Sequence, residues 1–240
     1  MKYLTPIVPA DYALCQRSMG SITAKYPFVC KVPLGRSANG RQIDTLMLCC
    51  PGKRQNGRVL LAAAERGQEW VSTLVLLRFC EEMCFCLQNG LSMVGVDVRR
   101  ALVGRTVLMI PQVNPDGAES VIRGDKDMPP DLSAVYALCN RLRLRHAAVL
   151  RAKGDRIRWQ HGENTPVPAR MMAEIMASAA GFATSDAPDD QDTFCRWFVE
   201  TFSRPAFSID LGEKENPPPI EQVPAIGKRV RELLLLNVMM

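Results

Sequence analysis

The sequence predicts an α/β fold, with a mixed central β-sheet flanked by helices on both faces. Two observations predict it. Short apolar runs of strand length (RVLLAAA, TVLMI, AAVL, PAFSIDL) alternate with longer segments of helical period. No repeat and no linker divides the chain, so residues 1–240 read as a single domain. With 47% hydrophobic and 23% charged residues, the chain has the balance of a globular protein, long enough to bury a core without disulfides.

The elements follow in order. Ala10 to Lys25 has helical spacing at Tyr12, Cys15, Met19 and Ile22, and Tyr-Pro-Phe closes it. Val29–Leu34 and Ile43–Cys49 read as strands joined by GRSANGRQ, whose Asn39-Gly40 is a turn signal. Arg58–Ala64 reads as a buried strand, and Val71–Leu87 as a helix whose apolar face is Leu74, Leu77, Cys80, Cys84 and Leu87. Thr106–Ile110 is a strand that ends in a turn, Asn114-Pro115-Asp116-Gly117. A helix is expected over Asp131–Leu144, a strand over Ala147–Leu150, and a return of GDRIRW beside that strand. Thr165–Ala180 reads as a helix whose Met171, Met172 and Met176 fill core. An acidic loop (Ser185–Asp192), a helix (Asp192–Ser203), a strand (Pro205–Leu211), the loop GEKENPPP and a last helix (Ile220–Leu236) complete the chain.

Composition narrows the function classes. The net charge of +5 is not gathered in a tail, and the one basic cluster, Arg141 to Arg145, alternates with leucine. No nucleic-acid partner is expected. Apolar runs are too short to span a bilayer, and the first residues hold two prolines and no apolar leader core, so no membrane partner and a cytoplasmic location are expected. The nine cysteines are scattered, without Cys-x-x-Cys or a nearby His, and read as free thiols in a reducing compartment.

Four stretches, in order, and a fifth between the last two of them resemble the zinc carboxypeptidase family. LGRSANGRQID is similar to its G-x-S-x-x-G-R-x-I hairpin, ERGQEWVST to its H-x-x-E-W-x-S/T metal helix, and IPQVNPDGAE to its P-x-x-N-P-D-G strand end. RWFVETFSRPAFSIDLGEKENPPP resembles the segment carrying the catalytic glutamate. VLRAKGDRIRWQHG resembles the version found in the bacterial γ-D-glutamyl-diamino-acid peptidases, which trim cell-wall peptides. The resemblance covers nearly the whole chain. It implies a zinc-carboxypeptidase-like fold and the chemistry of cleaving C-terminal or cell-wall peptides.

The departures carry the functional reading. In the family a His and a Glu three residues apart, with a distant His, hold zinc. Here the resemblance puts Arg66 at the first His position, Glu69 at the Glu, and Arg151 at the second His. Asp210 stands at the catalytic Glu position and Gln68 at the arginine beside the metal helix Glu. The family's Asn-Arg pair that grips the substrate carboxylate has no clear counterpart, Asn140-Arg141 lying inside a predicted helix.

Zinc needs lone pairs from imidazole, thiolate or carboxylate, and a guanidinium has five donors and no acceptor. A like pair of unit charges at about 4 Å costs on the order of 4 kcal/mol at an effective dielectric near 20, and a dication doubles it. The expectation is therefore a metal-free cluster in which Arg66 and Arg151 pair with Glu69 and Asp210 in the metal's place. Asp is one methylene shorter than Glu, and withdrawal by roughly 1 Å can cost about 100-fold in rate.

Plainer readings stand beside these. Arg66 and Arg151 are alternatively solvated loop residues, Glu69 an acid favoured by a helix dipole, and Asp210 a structural acid at a strand end. Asn114 is chiefly a turn former with a second role at the site floor, and Arg123 is a candidate for taking an anion in the cleft. His146 and His161, the only histidines, read as structural.

Two functions follow. The first is a pseudopeptidase that keeps a cleft for a small peptide or anionic ligand, with no cofactor. The second is an active zinc metallocarboxypeptidase with non-standard ligands such as Glu65, Glu69 and a histidine.

Overall fold

The computed structural model describes residues 2–50, 52, 57–187, 193–213 and 217–240, with the backbone alone at 212 and 213. Its elements are α1 (Tyr12–Lys25), β1 (Val29–Arg36), β2 (Gln42–Cys49), β3 (Gly57–Ala63), a 3-10 turn (Gly67–Glu69) and α2 (Trp70–Asn89). Then come β4 (Ser92–Met93), β5 (Val96–Asp97), α3 (Val98–Leu102), β6 (Arg105–Ile110), α4 (Pro115–Ile122), α5 (Ser133–Arg141), β7 (Leu144–Lys153) and β8 (Arg156–Arg158). The chain continues with α6 (Pro168–Ala180), β9 (Ala183–Ser185), α7 (Thr193–Phe202), β10 (Ala206–Glu213), a 3-10 turn (Ile220–Gln222) and α8 (Val223–Met239).

One sheet runs in the order β1-β2-β6-β3-β7-β10-β8-β9. The four middle strands β6, β3, β7 and β10 are parallel, while β1–β2, β2–β6 and β10–β8 are antiparallel. Strand alternation splits the core in two. Val59, Leu61 and Ala63 of β3 face α1, α2, α6 and α8, whereas Leu60 and Ala62 face α5 and α7. Val107 and Met109 of β6 and Ala148 and Leu150 of β7 follow the first face; Leu108, Ile110, Ala147 and Val149 follow the second. A strand buried on both faces reads as a continuous apolar run, which is why RVLLAAA and TVLMI show no polar alternation. This is the mixed sheet with helices on both faces that the sequence predicts. Among the described residues no helix is long and apolar enough to cross a membrane.

Several boundaries differ from the sequence reading. Asn114-Pro115-Asp116-Gly117 opens α4 instead of making a turn: Asn114 caps the helix by accepting from the Gly117 N–H at 2.9 Å, and Pro115 occupies its first turn. The helix expected to Leu144 stops at Arg141, and β7 begins at Leu144, so His146 lies inside the strand. The segment GDRIRW does return as β8, but β10 lies between β8 and β7. Met176 is core, yet Met171 is 60% exposed. The elements β4, β5, α3 and β9 are too short to give a periodic signal. Parts of the expected acidic loop (188–192) and of GEKENPPP (214–216) lie outside the described residues.

Buried carboxylates fix the frame around the cleft. Asp116 accepts from Ser37 Oγ at 3.0 Å, Asn39 N–H at 3.0 Å and Arg41 Nη1 at 2.6 Å, tying the β1–β2 hairpin to α4. Glu81 on α2 accepts from the Leu4 and Thr5 N–H groups at 2.7 and 2.8 Å and so binds the first residues to the helix layer.

His146 is buried, with Nε2 2.8 Å from the Asn237 carbonyl. Burial pushes its pKa from 6.5 down to about 4, against the bond to Asn237, and the charges of Arg145 and Arg105 add to the lowering. A depressed histidine adds stability that is present above pH 6.5 and lost as pH falls toward 4. The loss amounts to about 3 kcal/mol over that window. Urea unfolding of wild type and His146→Gln across this range is expected to show a shallower slope in the variant.

Candidate functional site

The carboxyl ends of β3, β7 and β10 bring the predicted residues together. After Ala63 the chain leaves β3 through Ala64, held at φ 53°. The Ala64 N–H donates to Ser72 Oγ at 2.9 Å, and Ser72 Oγ donates to the Glu69 carbonyl at 2.6 Å. The 3-10 turn follows. The Gly67 N–H donates to both oxygens of Asp127 at 3.0 and 3.2 Å. A Cβ at Gly67 would lie 2.2 Å from the Gly117 carbonyl oxygen, so only glycine lets this turn lie against the start of α4.

Glu69 ends the turn with its carboxylate 3% exposed. Arg151 Nε reaches Glu69 Oε1 at 3.3 Å, and the Arg66 N–H donates to Glu69 Oε2 at 3.2 Å. Burial raises the pKa of the Glu69 carboxyl, and the pull of Arg151, of the Arg66 N–H and of the Arg66 charge works against it. Arg151 stands beside Asp210 in the parallel register of β7 and β10.

Asp210 takes a partner that the sequence reading did not name. Arg158 of β8 places Nη1 3.1 Å from Asp210 Oδ1 and 2.9 Å from Oδ2. Ser208 faces Arg158 across the antiparallel pair, and Asp210, two residues on, shares that face. The turn between β7 and β8 closes over the carboxylate: Gly154, at φ 104°, lies so near that a Cβ there would be 2.7 Å from Asp210 Oδ2. The expected bidentate pairing of Arg66 and Arg151 with Glu69 and Asp210 thus differs in detail. Arg151 meets Glu69 through one nitrogen, and Arg158 serves Asp210. The signal for Arg158 was in DRIRW, where Arg158 alternates with the buried Ile157 and so lines the polar face of a short strand.

The remaining predicted residues spread out. Gln68 is half-buried in the 3-10 turn. Both ends of the Asn114 amide serve the backbone, Nδ2 donating to the Met128 carbonyl at 2.7 Å. Arg123 sits at the end of α4, 59% exposed, with Asp125 at 3.7 Å. Asn140 and Arg141 end α5 beside the amino end of β7, seven residues from Arg151 and about 23 Å along the strand. They are therefore not the cleft's Asn-Arg pair. Glu65 is buried just before the turn. His161 places Nε2 3.2 Å from the Arg158 carbonyl, and His146 lies near the amino end of β7.

These side chains do not fit a zinc ion. Glu69 is a carboxylate already bonded to a guanidinium, and the two flanking positions offer donors where a metal requires lone pairs. Among the described residues no three His, Cys, Asp or Glu side chains are grouped to hold a metal.

The comparisons define the class. A family model described as zinc carboxypeptidase matches residues 15–128, which include Arg66 and Glu69; Arg151 and Asp210 lie beyond it. The chain is 19% identical to γ-D-glutamyl-L-diamino acid endopeptidase 1 of Lysinibacillus sphaericus, over 95% of this chain and 72% of that protein. Its fold superposes on thrombin activatable fibrinolysis inhibitor with a TM-score of 0.80 at 12% identity, covering 95% of this chain and 73% of that one. For a metallo-carboxypeptidase from Burkholderia cenocepacia the TM-score is 0.68 at 17% identity, covering 94% and 68%. The chain is zinc-carboxypeptidase-like in sequence and in fold.

Removing one partner of a buried pair strands the other charge, at about 3–5 kcal/mol. Arg151→Met is expected to lower stability by that order in urea titrations. Arg151→Met with Glu69→Gln should regain more than half of it, since the stranded charge is gone while the Arg66 N–H keeps an acceptor.

Proposed function

We propose that this chain is a metal-free pseudopeptidase of the zinc carboxypeptidase type, kept for binding a small peptide or another anionic ligand in the former catalytic cleft. The observation that carries this is the contact of Arg151 with Glu69 at 3.3 Å, a guanidinium at the position where the resemblance expects a metal-bound histidine. Asp210 supports it. A general base must reach a water and release it again, and this carboxylate is 2% exposed, held by Arg158 and covered at Gly154.

Binding follows from the same chemistry. Guanidinium groups grip carboxylates through paired N–H donors; Arg151 and Arg158 already hold Glu69 and Asp210, and the Arg66 charge acts on Glu69 as well, so the region is rich in cations matched to carboxylates. A peptide carboxylate would bind here by sharing or displacing the acidic partners of these arginines, and the Lysinibacillus relative, by its name, is a γ-D-glutamyl-L-diamino acid endopeptidase. The nine cysteines, all free thiols, accord with a cytoplasmic location.

The test is elemental analysis of purified chain together with a hydrolysis assay on γ-D-glutamyl-diamino-acid and C-terminal peptide substrates. The expected outcome is less than about one zinc per ten chains and no turnover, with added zinc changing neither. Stoichiometric, chelator-sensitive zinc with turnover would establish the active metallocarboxypeptidase instead.

A further inference from the structure

Arginines gather at the end of the sheet opposite the cleft. Arg58 is the second residue of β3, Arg105 opens β6, Arg143 and Arg145 flank the first residue of β7, and Arg204 precedes β10. Between the end of α5, the start of β7 and the α7–β10 link lies a pocket of about 410 Å³. Asn140, Arg141, Arg143, Thr201, Phe202 and Arg204 lie on its wall, contributed by two separate stretches of chain.

No carboxylate is among the described residues lining it, and none of its three arginines is in an ion pair with a described residue. Arg141 has a partial explanation in the last turn of α5, where a cation offsets the helix dipole. That does not extend to Arg143 or Arg204. Arg204 Nη1 donates to the Leu144 carbonyl, which fixes the side chain at the pocket and leaves its other N–H groups for a ligand. Three like charges around one small volume repel, so the arrangement weakens the free protein unless an anion enters.

The same end of the sheet carries a second group of cations. Arg105 is held below its usual range by burial and then by Arg145, and His146 is pushed down to about 4 by burial first, with Arg145 and Arg105 adding.

We propose that this pocket is a binding site for a small multivalent oxyanion bearing phosphate groups, separate from the former peptidase cleft. Guanidinium forks match phosphate oxygens, Asn140 and Thr201 add neutral polar groups, and Phe202 supplies an apolar wall. The proposal does not rest on whether the cleft binds or cleaves peptides.

Calorimetric titration of pyrophosphate into the full chain tests it. Binding in the micromolar range is expected at about 50 mM salt, weakening toward about 200 mM. Arg141→Gln with Arg143→Gln changes two exposed side chains and should weaken binding by about tenfold or more, with an unchanged melting temperature. Arg100→Gln removes a surface arginine paired with Asp97 and should leave binding within about twofold, which separates the pocket from net charge. Citrate should bind about tenfold more weakly than pyrophosphate. No binding at millimolar pyrophosphate, an equal loss in Arg100→Gln, or tighter binding of citrate would overturn the assignment.

Discussion

The cleft depends on one buried ion pair, Arg151 with Glu69. At this depth of burial a carboxylate and a guanidinium are each costly alone, and burial already raises the Glu69 pKa. Neither residue can be understood without the other. The pair also joins distant parts of the chain, since Glu69 ends the turn after β3 and Arg151 lies near the end of β7. The electrostatic connection between those strands is made by these two side chains.

A second pair follows the same logic one strand further on. Asp210 and Arg158 join β10 to β8, so the two pairs bracket the parallel strands at the end where α/β folds keep their chemistry. Around them, short polar side chains serve the backbone. Asp116 holds the β1–β2 hairpin, Asp127 holds the turn at Gly67, and Asn114 caps α4. The frame that positions the cleft is built by short polar side chains satisfying buried N–H groups, while the cleft's own charges are met by arginines.

How much of this was legible in the sequence varied with the range of the interaction. The apolar runs of β3 and β6 and the period of α2 announced themselves because both faces of the sheet are buried. The positions of Arg66, Glu69, Arg151 and Asp210 followed from motif order. The partner of Asp210 did not, because it depends on β10 inserting between β7 and β8, a pairing that no local pattern encodes. The helical start at Asn114 was misread for a local reason. Asn-Pro-Asp-Gly is equally at home in a turn and at a helix N-terminus, and the choice was made by a distant Asp116 contact with the hairpin.

The glycine that lies against Asp210 has a steric consequence. A Cβ built at Gly154 would meet the Asp210 carboxylate at 2.7 Å, so there is little slack for a longer acid at position 210. The corner between β7 and β8 and the end of β10 therefore behave as one fitted joint, in which neither part changes size without the other.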